Sequence, residues 1–109
     1  MKVAVIGSRT ITNADIGRFI PPDTELIISG GAVGIDTLAE KYADKKGIKK
    51  KILFPDYELY GKSAPLIRDR MIVDLADLVI AIWDGSSPGT EYTISYAKRM
   101  GVPIEIYML

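Results

Sequence analysis

Short runs rich in β-branched and apolar residues alternate along this chain with segments of helical period, and nothing else in the sequence restricts the fold so strongly. Strand, helix and parallel strand in repetition make a sheet covered by helices on both faces. Five runs read as strands: Lys2 to Ile6, Glu25 to Ser29, Lys50 to Phe54, Asp77 to Trp83 and Pro103 to Tyr107. In the fourth, Leu78-Val79-Ile80-Ala81-Ile82-Trp83 is apolar at every position, as a central strand buried on both faces must be. It is expected mid-sheet.

Four helical segments fill the intervals. Thr12 with Asp15 reads as a capping box, Ile11 with Ile16 as its hydrophobic staple, and Pro21-Pro22 as the stop of a short helix. In the second segment Ile35, Leu38, Ala39, Tyr42 and Ala43 form an apolar stripe, and Gly47 is placed to end it as a left-handed cap. Ser63 opens the third with Pro65 in its first turn, and Leu75 or Ala76 closes it. The fourth runs from about Thr90 to Met100, with Gly101 and Pro103 beyond. The long connection is Pro55 to Lys62.

A chain of 109 residues holds one such domain. Fourteen Lys plus Arg balance fourteen Asp plus Glu, so no global basic field exists to hold a polyanion, and nucleic acid is disfavoured as a partner. With no Cys and no His, disulfides, thiolate nucleophiles and the commonest metal ligands are excluded, leaving Asp, Glu, Lys, Arg, Tyr, Ser and Thr for any chemistry. The apolar runs fall short of the roughly 18 to 20 residues a membrane span needs, and Gly7-Ser8-Arg9 interrupts the apolar start that a signal peptide would continue. A cytoplasmic domain without metal or redox cofactor is expected.

Three strands run into loops of small residues that open directly onto helices: Gly7-Ser8-Arg9-Thr10, Gly30-Gly31-Ala32-Val33-Gly34-Ile35-Asp36 and Gly85-Ser86-Ser87-Pro88-Gly89-Thr90. In a Rossmann-like three-layer sandwich with a five-stranded parallel sheet of order 3-2-1-4-5, strands 2, 1 and 4 are neighbours and the winding reverses between 1 and 4. All three loops then share the carboxyl edge, where open α/β sheets bind ligands. Glycines admit an anion close to backbone N–H groups, and helix N-termini add unpaired donors and partial positive charge. Neither G-x-x-x-x-G-K-[ST] nor the full G-x-G-x-x-G occurs, and no acidic residue closes the second strand, so a P-loop NTPase and a dinucleotide dehydrogenase are both disfavoured.

Four blocks in order carry a family likeness: "VIGSR" at Val5 to Arg9, "SGGAVGIDTLAEKYA" at Ser29 to Ala43, "YGKSAPLIRDRMI" at Tyr60 to Ile72 and "DLVIAIWDGSSPGT" at Asp77 to Thr90. With them the chain resembles the SLOG superfamily of Rossmann-like nucleotide-ligand binders, within it the YspA-like small proteins and the Rossmann core of DNA-processing protein A. The resemblance implies that Gly7, Ser8, Arg9, Gly30, Gly31, Ala32, Gly34, Gly89 and Thr90 lie on ligand phosphate or ribose. It also implies roles for Asp36, at the acidic position of a G-x-D element, and for Arg68 and Asp69, which match an Arg-Asn pair. The Asp replaces an amide donor by an acceptor-only carboxylate. The more distant lonely-guy phosphoribohydrolases use an Arg and a Glu from a P-G-G-x-G-T-x-E-E motif. Here Thr93 stands at the final Glu, and Glu91 lies two residues early, turned by about 200° on a helix.

Each of these residues also has a purely structural reading. Arg9 faces an incoming anion or pairs with Asp15. Asp36 and Glu91 contact ligand or complement helix dipoles. Of Arg68 and Arg70, two apart on a helix, only one readily enters a given pocket, and Arg68 is the choice. Tyr57 and Tyr60 stack on a base or pin their loop, and Trp83 reads as core. Lys45-Lys46 and Lys49-Lys50-Lys51 read as a solvated cluster at the far, amino edge. The alternating tail Ile104 to Leu109 reads as an edge strand inviting a homo-oligomer. The expectation is a domain binding a nucleotide or nucleotide-derived small ligand at the carboxyl edge, as sensor or carrier. Two rivals stand beside it: a nucleotide phosphoribohydrolase with Arg68 and Glu91 as catalytic candidates, and a single-stranded-DNA handling module.

Overall fold

A computed structural model describes residues Met1–Leu109. Five parallel strands, β1 (Lys2–Gly7), β2 (Leu26–Ser29), β3 (Lys49–Ile52), β4 (Leu78–Trp83) and β5 (Ile104–Met108), form one sheet in the order β3-β2-β1-β4-β5. Helices α1 (Ile35–Lys46), α3 (Ala64–Leu75) and α4 (Pro88–Met100) cover it, with a single turn, α2 (Tyr57–Tyr60), in the long connection. This is the expected Rossmann-like α/β sandwich. No helix is long and apolar enough to cross a membrane.

The two-residue period of each strand splits the core into two layers. Val3, Val5, Ile27, Ile80 and Ile82 point to one face, where they meet Ile35, Ala39 and Ala43 of α1 together with Ile16 and Ile20. Ala4, Ile6, Ile28, Val79 and Ala81 point to the other, against Ile72 and Val73 of α3 and Ile94 and Ala97 of α4. β4 is buried at five of its six positions, which is why it needs no polar residue before Asp84. Its central place follows from pairing β1 along Val3↔Leu78 to Gly7↔Ile82 and β5 along Val79↔Ile104 to Trp83↔Met108.

Two local expectations are corrected. The segment after β1 carries no capped helix: Asp15 makes no side-chain cap, and only Ile16–Phe19 coils, as a 3-10 turn. Gly17 sits against the Tyr42 ring, and eight residues between Thr12 and Pro21 need only seat Ile16 and Ile20 in the core, which one turn achieves. β3 is shorter than Lys50 to Phe54 and begins at Lys49. One further bond, Leu53 N–H to Ser29 O at 2.9 Å, extends its pairing, after which Phe54 leaves the sheet and is exposed. The third helix runs as expected from its N-cap Ser63 to Leu75, and the fourth starts two residues earlier, at Pro88, within the first turn. Gly47 and Gly101 do cap their helices in the left-handed conformation.

Candidate functional site

The strand order brings the loops after β1, β2 and β4 to one rim, and between them and α3 lies a cleft of about 400 Å³. Gly7 and Arg9 reach it from the first loop, Gly30, Gly31, Ala32 and Asp36 from the second, Gly89 and Thr90 from the third, and Arg68 and Asp69 from α3. Ser8, Gly34 and Glu91 do not line it.

Ser8 is wholly buried and consumed in holding the rim together. Its N–H donates to Ile82 O at 3.1 Å, its carbonyl accepts from Ile35 N–H at 3.2 Å, and its Oγ accepts from Asp84 N–H at 2.9 Å. Gly34 has φ 81° and lies so close to the Ser8 and Arg9 carbonyls that a Cβ would collide with them. These two residues join the first loop to the start of α1. Glu91 is exposed on the first turn of α4, consistent with a dipole role.

Asp84, not among the candidate site residues read from the sequence, organises the third loop. Its Oδ1 accepts from Ser86 N–H at 2.9 Å and Ser87 N–H at 3.1 Å, and its Oδ2 from Thr10 Oγ at 2.8 Å. The backbone N–H of Ser86 and the Thr10 hydroxyl hold this carboxyl well below the usual carboxylate range. One signal does point to it: an acid placed directly after an apolar strand and before Gly-Ser-Ser is the residue type that hydrogen-bonds the backbone two residues on. Trp83 assists, donating its Nε1–H to Ser87 O at 3.3 Å rather than offering a stacking surface.

The loop so fixed presents the N-terminus of α4. Ser87, its N-cap residue, makes no side-chain cap, so the first N–H groups of the helix keep no capping acceptor and open onto the cleft at Gly89 and Thr90. At the start of α1 the Ile35 N–H donates to Ser8 O, while the Asp36 carboxylate accepts from Ala32 N–H and the Thr37 hydroxyl donates to Ala32 O, bracing the loop ahead of the helix.

Arg68 spans the floor. Its Nε–H donates to Asp69 Oδ1 at 2.7 Å, and Nη1 donates to Gly30 O and, at 3.3 Å, to Leu53 O. Nη2 has no partner in the chain and is not buried, which leaves two free donors on a residue that lines the cleft. Arg70, two positions on, is exposed and outside the lining. Arg9 is exposed and makes no ion pair, so the alternative pairing with Asp15 does not form.

Two carboxyls lie beside Arg68. Asp36 is 8% exposed and accepts from Ala32 N–H at 3.2 Å; burial outweighs that bond and the Arg68 charge and pushes it up to about 6. Burial raises Asp69 as well, against the opposing pull of Arg68. The opposite wall is apolar and aromatic, from Phe54, Pro55, Tyr57, Pro65 and Leu66. Tyr57 stands on it because Asp56 caps α2 through Leu59 N–H at 3.1 Å; Tyr60, at the end of that turn, does not reach it. Phe54, Thr93, the Ser87-Pro88 pair, Ile6 and Ile72 also line it, beyond the site residues expected.

Against known proteins, the chain is 32% identical over 85 residues to translation initiation factor IF-2 of Mesoplasma florum. That alignment takes in 75% of this chain and 13% of the other protein. No family model and no solved structure matches.

Proposed function

We propose that this chain binds a nucleotide or nucleotide-derived small ligand across the cleft, as a sensor or carrier. One observation carries the reading: anion donors and aromatic side chains line a single cleft. The uncapped start of α4, Arg9 and Arg68, with its Nη2 unpartnered, line the cleft and supply donors for a phosphate, and Phe54 and Tyr57 line it too, supplying rings for a base. Charge-assisted hydrogen bonds are worth about 1.5–3 kcal/mol each, so a few of them hold a phosphate without a net basic protein. The resemblance to the SLOG superfamily points the same way. The ligand is identified by mass spectrometry of a heat extract of the purified protein, with calorimetric titration of nucleoside monophosphates to follow. A nucleotide that co-purifies and rebinds supports the reading, and a cleft that binds none of them ends it.

A second reading, hydrolysis of the glycosidic bond of a nucleotide, keeps one observation in its favour. Asp36, raised to about 6, is a carboxyl able to exchange a proton near neutral pH beside Arg68. Glu91 drops out of it, being exposed and outside the lining. Release of free base from nucleoside monophosphates separates a hydrolase from a binder.

A further inference from the structure

The two edges of the sheet differ sharply. β3 is an edge of consecutive lysines, Lys49, Lys50 and Lys51, all exposed, with Lys50 tied to Asp44 at 2.9 Å and to Glu40 at 3.8 Å. Charged side chains of this kind are how natural sheets keep an edge from pairing. β5 has no such guard. It reads Ile104-Glu105-Ile106-Tyr107-Met108, with Ile106 37% and Met108 59% exposed.

The ladder fixes which groups of β5 are unpaired. Val79 N–H donates to Pro103 O at 2.9 Å and Leu109 N–H donates to Trp83 O at 3.0 Å, so the odd-numbered residues of β5 turn their backbone groups toward β4. By the alternation of a parallel ladder, the N–H and C=O groups of Ile104, Ile106 and Met108 face outward. Their side chains also share one sheet face, the α4 side, where Ile104 packs on the core and Met100 lies exposed at the end of α4.

We propose that two copies of this chain pair antiparallel through β5, centred on Ile106, to make one continuous ten-stranded sheet. A twofold axis normal to the sheet puts Ile106 opposite Ile106 of the second copy and Ile104 opposite its Met108. Every outward N–H and C=O of the strand then finds a partner, and apolar side chains meet across the seam. The charges fit this register. Glu105, the single charge on the strand, falls opposite Tyr107 of the second copy and not opposite another Glu105; within one chain the Tyr107 hydroxyl already donates to the Glu105 carboxylate. The other pairings are poorer. β3 with β3 brings lysines against lysines, and β3 with β5 sets the charged side chains of Lys49, Lys50 and Lys51 opposite a strand whose outward residues are apolar and that carries one Glu105. The pairing therefore closes at two copies instead of extending into a fibre.

Sedimentation velocity over a concentration series is expected to give a species of twice the 12.0 kDa chain. Ile106→Lys, which sets two ammonium groups face to face on the axis, is expected to weaken the pair more than tenfold while the far-UV spectrum is kept. Amide exchange of the unsubstituted chain supplies a readout that needs no variant. The Ile106 and Met108 N–H groups gain protection as concentration rises, while Glu105 N–H, inside the ladder, is protected throughout. A single 12.0 kDa species at every concentration overturns the proposal. So does a dimer that Ile106→Lys leaves intact, an assembly larger than two, or an Ile106 amide that exchanges freely in the assembled protein.

Discussion

Ser8 and Asp84, 76 positions apart in the chain, are joined by a 2.9 Å hydrogen bond from the Asp84 N–H to the Ser8 Oγ. The bond lies where β1 and β4 end side by side, and it ties the first loop of the rim to the third. Ser8→Ala leaves the Asp84 amide without its acceptor beside a wholly buried position, in a part-buried corner. We expect a loss of about 1–2 kcal/mol in urea unfolding, with the midpoint lowered and the slope unchanged. Affinity for the ligand is expected to fall with it, although Ser8 touches no part of the cleft.

Asp84 makes the same rim sensitive to acid. Its carboxyl titrates below its unfolded value of 3.8, because the ionised form accepts from Ser86, Ser87 and Thr10. A group depressed in this way contributes stability that is whole above the unfolded value and is lost as pH falls through the folded one. Asp84→Asn is therefore expected to lower stability at neutral pH and to show less further loss below pH 3.8 than the unsubstituted chain, in thermal melts across acid pH.

Asp36 has the opposite sign. Between 3.8 and about 6 the folded chain keeps a proton that the unfolded chain has released, so stability falls as pH rises through that window and is level above it. The full drop is on the order of 2–3 kcal/mol. Asp36→Asn, whose amide oxygen can still accept from Ala32 N–H, is expected to show a shallower decline, the remainder coming from Asp69. An anionic ligand is best received while Asp36 is neutral. Its affinity is thus expected to weaken as pH rises past about 6, and that trend should flatten in the same variant.

The sheet order is legible in the sequence because an all-apolar β4 has to lie inside and because three loops of small residues have to share an edge. The cleft is legible for the same reason, through glycines, Arg9, Asp36 and Arg68. What escapes is decided by packing across the fold. Thr12 and Asp15 have the spacing of a capping box, but nothing in that spacing says that Ile16 and Ile20 need only one turn to reach the core. Ser8 matches a binding motif, yet its backbone and hydroxyl are spent on Ile35, Ile82 and Asp84, partners far away in sequence. Phe54 ends a strand in the sequence pattern, whereas in the fold it turns out of the sheet to wall the cleft.

Arg9 and Arg68 both offer donors to the cleft, and their surroundings predict different outcomes when each is removed. Arg9 is exposed and unpaired, so Arg9→Ala is expected to change stability by less than about 0.5 kcal/mol. The same change removes one charge-assisted contact, and calorimetry should show ligand affinity falling at least about tenfold, or 1.4 kcal/mol. Arg68, its side chain 13% exposed, also holds Gly30 O, Leu53 O and the buried Asp69 carboxylate. Arg68→Ala leaves that carboxylate unpaired, and a loss on the order of 3 kcal/mol in folding stability should accompany the loss of binding. Arg68→Lys separates the two roles: it keeps the charge beside Asp69 but cannot reach Gly30, Leu53 and the cleft together, so stability should recover more than affinity does. Equal recovery of both would place Arg68 in the site as a charge alone.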